Sequence, residues 1–376
     1  MWFNTSDQSW TNTSSRPYAR SSSFGLSCFT MIFGALSNFT ALGILAKTHI
    51  RFRRQAKAPF LFLTVSLLVA DLGGHVIPGS FAMYVHMHKS KGELPSEMFC
   101  NTFGASMVFF GLCPLLLDCA MALERCVAIT QPFFHAAMIT VAHVRHVLFF
   151  LLTAALVLAL LPFFSVGTYT LQSPGTWCFL QVHAPRSVAE TNLVLAFSCL
   201  GLAALTLSLL CNILSSLALL RARIKMQTDD SVSVGACNRR ASSASSSSTA
   251  ICSLDVEMMV QLAVITIVSC VCWSPFLVHI LVMQFMSAGL SSQSDDFILL
   301  ALRFAAWNQI LHPWVYILLR KAVLLKLGCS VPNTPQRAGR PRTTNPPSRF
   351  LALDVSDCEV TAIKPTVGSR ALKRSL

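Results

Sequence analysis

Arg303 is set in the apolar run Leu302-Arg303-Phe304-Ala305-Ala306-Trp307, ten residues before Pro313. A guanidinium withdrawn from water is costly unless an anion meets it, and its planar fork can hold a carboxylate through two parallel hydrogen bonds. Arg303 is therefore a candidate anchor for an acidic ligand. The competing readings are an arginine that snorkels to a polar boundary or one that pairs within the protein. Asp71, Asp118 and His312 also interrupt apolar runs. Either Asp118 pairs with His312, or His312 stays neutral and hydrogen-bonds to Asp71 or to water; the residue pattern leaves both open. Asn38 and Asn308 are natural polar neighbours of Asp71, in a hydrated cluster or a cation site. Asp118 precedes Arg125 by seven residues, about 20° short of two helical turns, so the two share a face. Arg125 can pair locally with Glu124, and across a helix bundle with Asp255 or Glu257. Breaking such a pair as helices part would make a two-state element.

Of 14 cysteines, most lie in apolar runs or beside basic loops, where they are expected to stay reduced. Cys100 and Cys178 fall on the opposite, oxidising side, and a bridge between them would pin the segment Gln172-Ser173-Pro174-Gly175-Thr176-Trp177-Cys178-Phe179. Pro-Gly makes a turn and Thr-Trp-Cys-Phe is β-prone, so a hairpin lid is expected there; two free thiols are the alternative. His75, His86, His88, His143 and His146 have no partners at a metal-ligand spacing, and neither a phosphate loop nor a nucleophile motif is present. No catalytic residue, metal or cofactor is expected.

These side chains need elements to hold them, and the composition says which. The chain is 53% hydrophobic and only 12% charged, with mean hydropathy +0.59, against about 25% charged for ordinary globular chains. Apolar surface on this scale calls for a lipid solvent. The net charge of +13 lies between and after the apolar runs rather than in a basic patch, which argues against nucleic acid as partner. Seven runs are long enough to span a bilayer at roughly 20 residues each: about 24–46, 59–84, 101–127, 144–164, 191–220, 256–286 and 297–319. An all-α membrane fold, a seven-helix bundle, is the expectation. Pro78, Pro114, Pro275 and Pro313 interrupt these runs, which membrane helices tolerate.

Lysine and arginine concentrate in the first inner loop (Lys47, Arg51, Arg53, Arg54, Lys57) and the third (Arg221, Arg223, Lys225, Arg239, Arg240). The positive-inside rule then places the N-terminus outside and the C-terminus inside, at the plasma membrane. Residues 1–23, which show no signal peptide, read as an extracellular tail glycosylated at the Asn4 and Asn12 sequons; 24–328 as the seven-helix transmembrane bundle with an insert at about 221–255; and 329–376 as a disordered tail. Within the insert, the Ser242–Ser248 run has too little apolar area to fold alone, and Arg239-Arg240-Ala241-Ser242 is a candidate kinase site. Cys329 could carry a palmitoyl group.

Glu124-Arg125-Cys126, Cys272-Trp273-Ser274-Pro275 and His312-Pro313-Trp314-Val315-Tyr316 resemble three motifs of the rhodopsin-like G-protein-coupled receptors. Gly175-Thr176-Trp177-Cys178-Phe179, Leu302-Arg303 and Trp307-Asn308-Gln309-Ile310-Leu311 resemble the prostanoid receptors within them. The nearest likeness is to the prostaglandin E branch, subtype one, with the prostaglandin F branch as the alternative. The resemblance implies prostaglandin E2 as agonist and a heterotrimeric G protein of the Gq type as partner, raising cytosolic calcium, with membrane lipid around the bundle. It implies that Arg303 binds the ligand carboxylate with Thr176 and Trp177 in the lid, that Met107 and Phe110 line the apolar pocket, and that Trp273 and Pro275 couple filling to movement. Glu124, Arg125, Asp255, His312, Pro313, Tyr316, Asp71 and Asp118 would form the switch. Three positions depart from the pattern. His86 stands where the family has a carboxylate-holding tyrosine, with Tyr84 on another face. His312 replaces an aspartate while Asp118 replaces a glycine. Pro114 replaces a serine of the sodium site, so sodium is not expected at Asp71. A second class, an organic-anion transporter using Arg303, would call for an inverted repeat, and none is detectable.

Overall fold

The helix Glu97–Thr130 is the axis about which the chain is arranged, because its residues are apolar on nearly every side. In the computed structural model, which describes residues 17–51, 58–90, 92, 95–182, 187–232, 242–285 and 291–328, this helix is α3. It packs against α2 (Ala58–Ser90), α5 (Val141–Leu160), α6 (Val188–Val232) and α7 (Ser242–Phe285). The helices α1 (Pro17–Arg51) and α8 (Ser291–Gly328) pack on each other and on α2, and α8 also packs on α7. A short helix, α4 (Pro132–Met138), links α3 to α5, and a 3-10 turn (Leu161–Phe164) ends α5.

Six of these helices, all but α4 and α8, are long and apolar enough to cross a membrane. The seventh, α8, is less apolar because Arg303, Asn308, Gln309 and His312 fall within it. Outward faces carry large apolar side chains such as Phe149, Phe150, Leu214 and Val271, as a lipid-facing surface requires. Buried hydroxyls are satisfied within their own helices: Ser37, Thr64, Ser198, Ser208 and Ser215 each donate to the carbonyl four residues earlier. This local bonding lets polar residues sit inside a bundle without an unpaired donor.

Two expectations about the inner segments need correction. Among its described residues the insert at 221–255 is helical: α6 runs to Val232, and α7 begins at Ser242, so the serine run forms the first turns of α7. Extending a helix that is already nucleated costs little per residue, even for a sequence that could not start one. The helix α4 was not expected at all; its signal was Pro132 at the first helical position. The side chains of Asp255 and Glu257, the sequons at Asn4 and Asn12, Arg239–Ala241 and Cys329 lie outside the described residues.

The loop after α5 forms the antiparallel hairpin β1 (Tyr169–Gln172) and β2 (Trp177–Leu180), paired Tyr169 to Leu180 and Gln172 to Trp177. Gly175, at φ +80°, closes its turn, where a side chain would be strained. Cys178 is bonded to Cys100 at the head of α3, with Cα atoms 5.4 Å apart. The Tyr169 hydroxyl donates to the Ala159 carbonyl at 2.7 Å and the Trp177 indole to the Ser173 carbonyl at 3.0 Å. Gly104 leaves the space that the Tyr169 ring fills. The strand is therefore fixed to α3 covalently and to α5 by a hydrogen bond. Cys178→Ser is expected to speed proteolysis within the hairpin about 30-fold or more, the effect of roughly 2 kcal/mol on a local opening equilibrium. Timed digestion of membranes from the hairpin side would show it, with the helices left uncut.

Candidate functional site

Beneath the hairpin a cavity of about 200 Å³ is enclosed by α1, α2, α3, α7, α8 and the strand turn. Phe103, Met107 and Phe110 line it from α3, Pro78 and Ala82 from α2, Leu299 and Leu302 from α8, and Trp273 from α7. Its polar groups are Arg303 on α8, His86 and His75 on α2, Thr176 in the hairpin turn, Gln309, and the hydroxyls of Ser27 and Thr30. No acidic residue is among the described lining residues. A space that is mostly apolar, with one guanidinium and several donors of neutral charge, suits an amphipathic anion. A larger hollow of about 380 Å³ lies on the outer face of α5, between Phe150 and Leu161. It has no charged lining and faces where lipid would be, so the inner cavity is the candidate site.

The residues singled out from sequence as ligand contacts, Arg303, Thr176, Trp177, Met107, Phe110 and His86, all line this one cavity. Tyr84 does not; it stacks on His88 at 3.8 Å between ring centres and packs on Phe99. Two contributors were missed. Gln309 donates from Nε2 to the Phe110 carbonyl at 2.9 Å and accepts at its own carbonyl from Asn38 at 3.1 Å, which ties α8 to α3 and α1. A Cβ at Gly74 would come within 2.7 Å of the Gln309 amide oxygen, so the small residue makes room for the tie. His75 is buried, and its Nε2 has no partner among the described residues.

One level deeper, the two arrangements left open for His312 are both partly realised. His312 Nδ1 lies 2.9 Å from Asp71 Oδ2, and Nε2 lies 3.7 Å from Asp118 Oδ2. Ser269 of α7 completes the gap: its hydroxyl donates to Asp118 at 2.7 Å and lies 3.2 Å from His312 Nε2. Asp71, Asp118, Ser269 and His312 are all essentially inaccessible, and they join α2, α3, α7 and α8. The expected neighbours of Asp71 are corrected. Asn38 turns its amide to the Gly34 and Gln309 carbonyls, and the Asn308 side chain has no hydrogen-bond partner among the described residues. His312 takes the place beside Asp71. Ser269 lies four residues before Trp273 on the same face of α7, so the cavity floor and the cluster are one turn apart.

At the far end of α3, Glu124 receives Arg125 Nε at 2.5 Å and Nη2 at 2.6 Å, a bidentate pair. Glu124 Oε1 also lies 2.9 Å from Nε2 of His135, which α4 supplies. Arg125 lies over the Phe60 ring at 5.0 Å, a cation–π contact. The local partner of Arg125 is thus Glu124, and His135 was not foreseen because α4, which carries it, was not expected. Tyr316 places its hydroxyl 3.8 Å from the Met121 sulfur.

A model of the 7 transmembrane receptor (rhodopsin family) matches residues 44–316. The chain belongs to that family. That family is one of multi-pass membrane receptors. It is 44% identical over 331 residues to the "Prostaglandin E2 receptor EP1 subtype" of Rattus norvegicus, covering 80% of each chain. With the protein of the same name from Homo sapiens it is 43% identical, covering 84% of each. The "Prostaglandin F2-alpha receptor" of Homo sapiens is 41% identical, with 80% of this chain and 79% of that one covered. Among solved structures, squid rhodopsin superposes with a TM-score of 0.68 at 17% identity, over 88% of this chain and 93% of that one. That likeness concerns the fold. In this rhodopsin-family receptor the cavity lies on the hairpin side of Trp273, and the Glu124–Arg125 pair closes the opposite end of α3.

Proposed function

We propose that this receptor binds a prostaglandin, with prostaglandin E2 as its principal agonist, and passes the signal to a heterotrimeric G protein of the Gq type. The observation that carries the reading is that Arg303 and Thr176 line one cavity whose described lining is mostly apolar and without acid. Arg303 takes the ligand carboxylate, Thr176 adds a hydroxyl donor, and Met107 and Phe110 receive the lipid chains. Filling the cavity presses on Trp273, and α7, pivoting at Pro275, carries this to the Glu124–Arg125 pair, whose release frees Arg125 for the G protein. In this orientation the hairpin faces outside the cell. Binding shifts the population toward the released state only as far as the ligand prefers it. The names and identities of the relatives support prostaglandin E2, and the nearly equal identity to the prostaglandin F2-alpha receptors makes prostaglandin F2α the second reading.

Cytosolic calcium in cells expressing the chain, over doses of both prostaglandins, tests the proposal. Prostaglandin E2 is expected to act at about tenfold or more lower dose than F2α, a difference of about 1.4 kcal/mol. The reverse order would favour the second reading. Silence from a protein present at the cell surface would overturn the Gq-coupled reading.

A further inference from the structure

His86 reaches from α2 into the cavity that Arg303 of α8 and Thr176 of the hairpin also line. Its ring is half-buried, with the edge of Phe24 from α1 at 5.9 Å between centres. The charged groups that act on it are Lys89, one turn further along α2, and Arg303 across the cavity. The Lys89 ammonium is itself turned to the Pro174 carbonyl in the hairpin turn. From α1, α3 and the hairpin, the lining groups are uncharged: Ser27 and Thr30 on α1, Phe103 on α3, and Thr176 and Trp177 in the hairpin. His88, on another face of α2, is stacked on Tyr84.

We propose that His86 is the second arm of a clamp on the ligand carboxylate, and that carboxylate binding is coupled to uptake of one proton on its imidazole. The proposal rests on the reading of Arg303 as the anchor. An anion seated at Arg303 adds a negative charge to the field of the two cations at His86. Before binding, the imidazole faces two cations; afterwards it faces a carboxylate that it can meet with an N–H and a positive charge. A group whose unperturbed titration lies near pH 6.5 is suited to such coupling over the physiological range. Because the bound form holds the extra proton, affinity rises as the outside medium is acidified. This makes the receptor more sensitive to a lipid acid where the tissue itself is acid.

Displacement of tritiated prostaglandin E2 from membranes between about pH 8 and about pH 6 tests it. The wild-type affinity is expected to rise about fivefold over that range, within the limit of tenfold per pH unit for one coupled proton. His86→Gln and His86→Phe should bind with a flat pH profile, while His88→Gln keeps the wild-type slope. The methyl ester of the same prostaglandin, which has no carboxylate, should displace the label with no pH dependence. A flat wild-type profile, or a slope that survives in His86→Gln, overturns the clamp. Loss of binding in Arg303→Gln at every pH, beside a flat wild type, would leave the anchor standing while removing His86 from it. Full binding by Arg303→Gln would instead overturn the anchor. If neither His86 variant reaches the membrane, His75→Gln and His88→Gln receptors that keep the slope for the acid assign it to His86, and loss of the slope in either overturns the clamp.

Discussion

Arg303→Gln is expected to weaken prostaglandin E2 binding by about 30-fold or more, the effect of losing a charge-assisted pair worth about 2–3 kcal/mol. The loss should appear as a shift of the dose–response curve with the maximal calcium response retained at high dose. The reason lies in the geometry. Arg303 is one turn and a half from Gln309 on α8, and Gln309 is tied to the Phe110 carbonyl and to Asn38. A contact to so fixed a helix strengthens inactive and active complexes alike, which changes affinity without changing efficacy. The methyl ester should be weak on wild type and lose little more on the variant. An Arg303→Gln receptor that binds acid and ester as wild type does would show that the guanidinium serves the fold. A collapse of the maximal response with affinity unchanged would place Arg303 in the switch instead.

His312→Ala carries the second large effect. Ser269 has one hydroxyl proton, and it is directed to Asp118. With Asp71 ionised, the serine oxygen accepts from His312 Nε2 while Nδ1 donates to Asp71. Both ring nitrogens then carry hydrogen, and the imidazolium lies between two carboxylates. Removing it leaves two buried anions without a cation, a change that typically costs about 3–5 kcal/mol. The surface level of His312→Ala should fall severely. Asp118→Ala leaves the Asp71–His312 pair whole and should be far milder in stability. It also releases Ser269 from α3, so basal signalling should rise. Adding Asp118→Ala to His312→Ala should restore about 1–3 kcal/mol, because one orphaned charge is removed with it. Fluorescence-monitored thermal melts of all four proteins in detergent give the cycle. Additive losses would mean that the 3.7 Å approach of His312 to Asp118 carries no coupling.

What could be read before the fold was known follows from cost. Charges in apolar runs are expensive, so Arg303, Asp71, Asp118 and His312 stood out as residues with a purpose. Cys100 and Cys178 stood out because compartment separates them from the other thiols. The choice of His312 between two acids was not legible, since it depends on the rotations of four helices to within an ångström or so. Ser269, Gln309 and His135 were invisible for another reason. Serine, glutamine and a histidine on a short helix are ordinary residues, and only the groups brought opposite them by the tertiary fold give them a task. The serine run at 242–248 misled because its composition speaks against an isolated fold, whereas it is continuous with a helix anchored deep in the bundle.

The Gln309 tie also divides labour along the ligand. One end of the cavity is a fixed post on α8, and the floor is Trp273, one turn from the only α7 side chain in the buried cluster described here, Ser269. A molecule held at the post reaches the floor only if its chain is long enough. Chain length would then act as a gauge: shortened acids would occupy the receptor fully and signal little, and lengthened ones would push harder at no gain in hold. Antagonists of this protein are to be sought by trimming the tail that points at Trp273 and leaving the acid untouched.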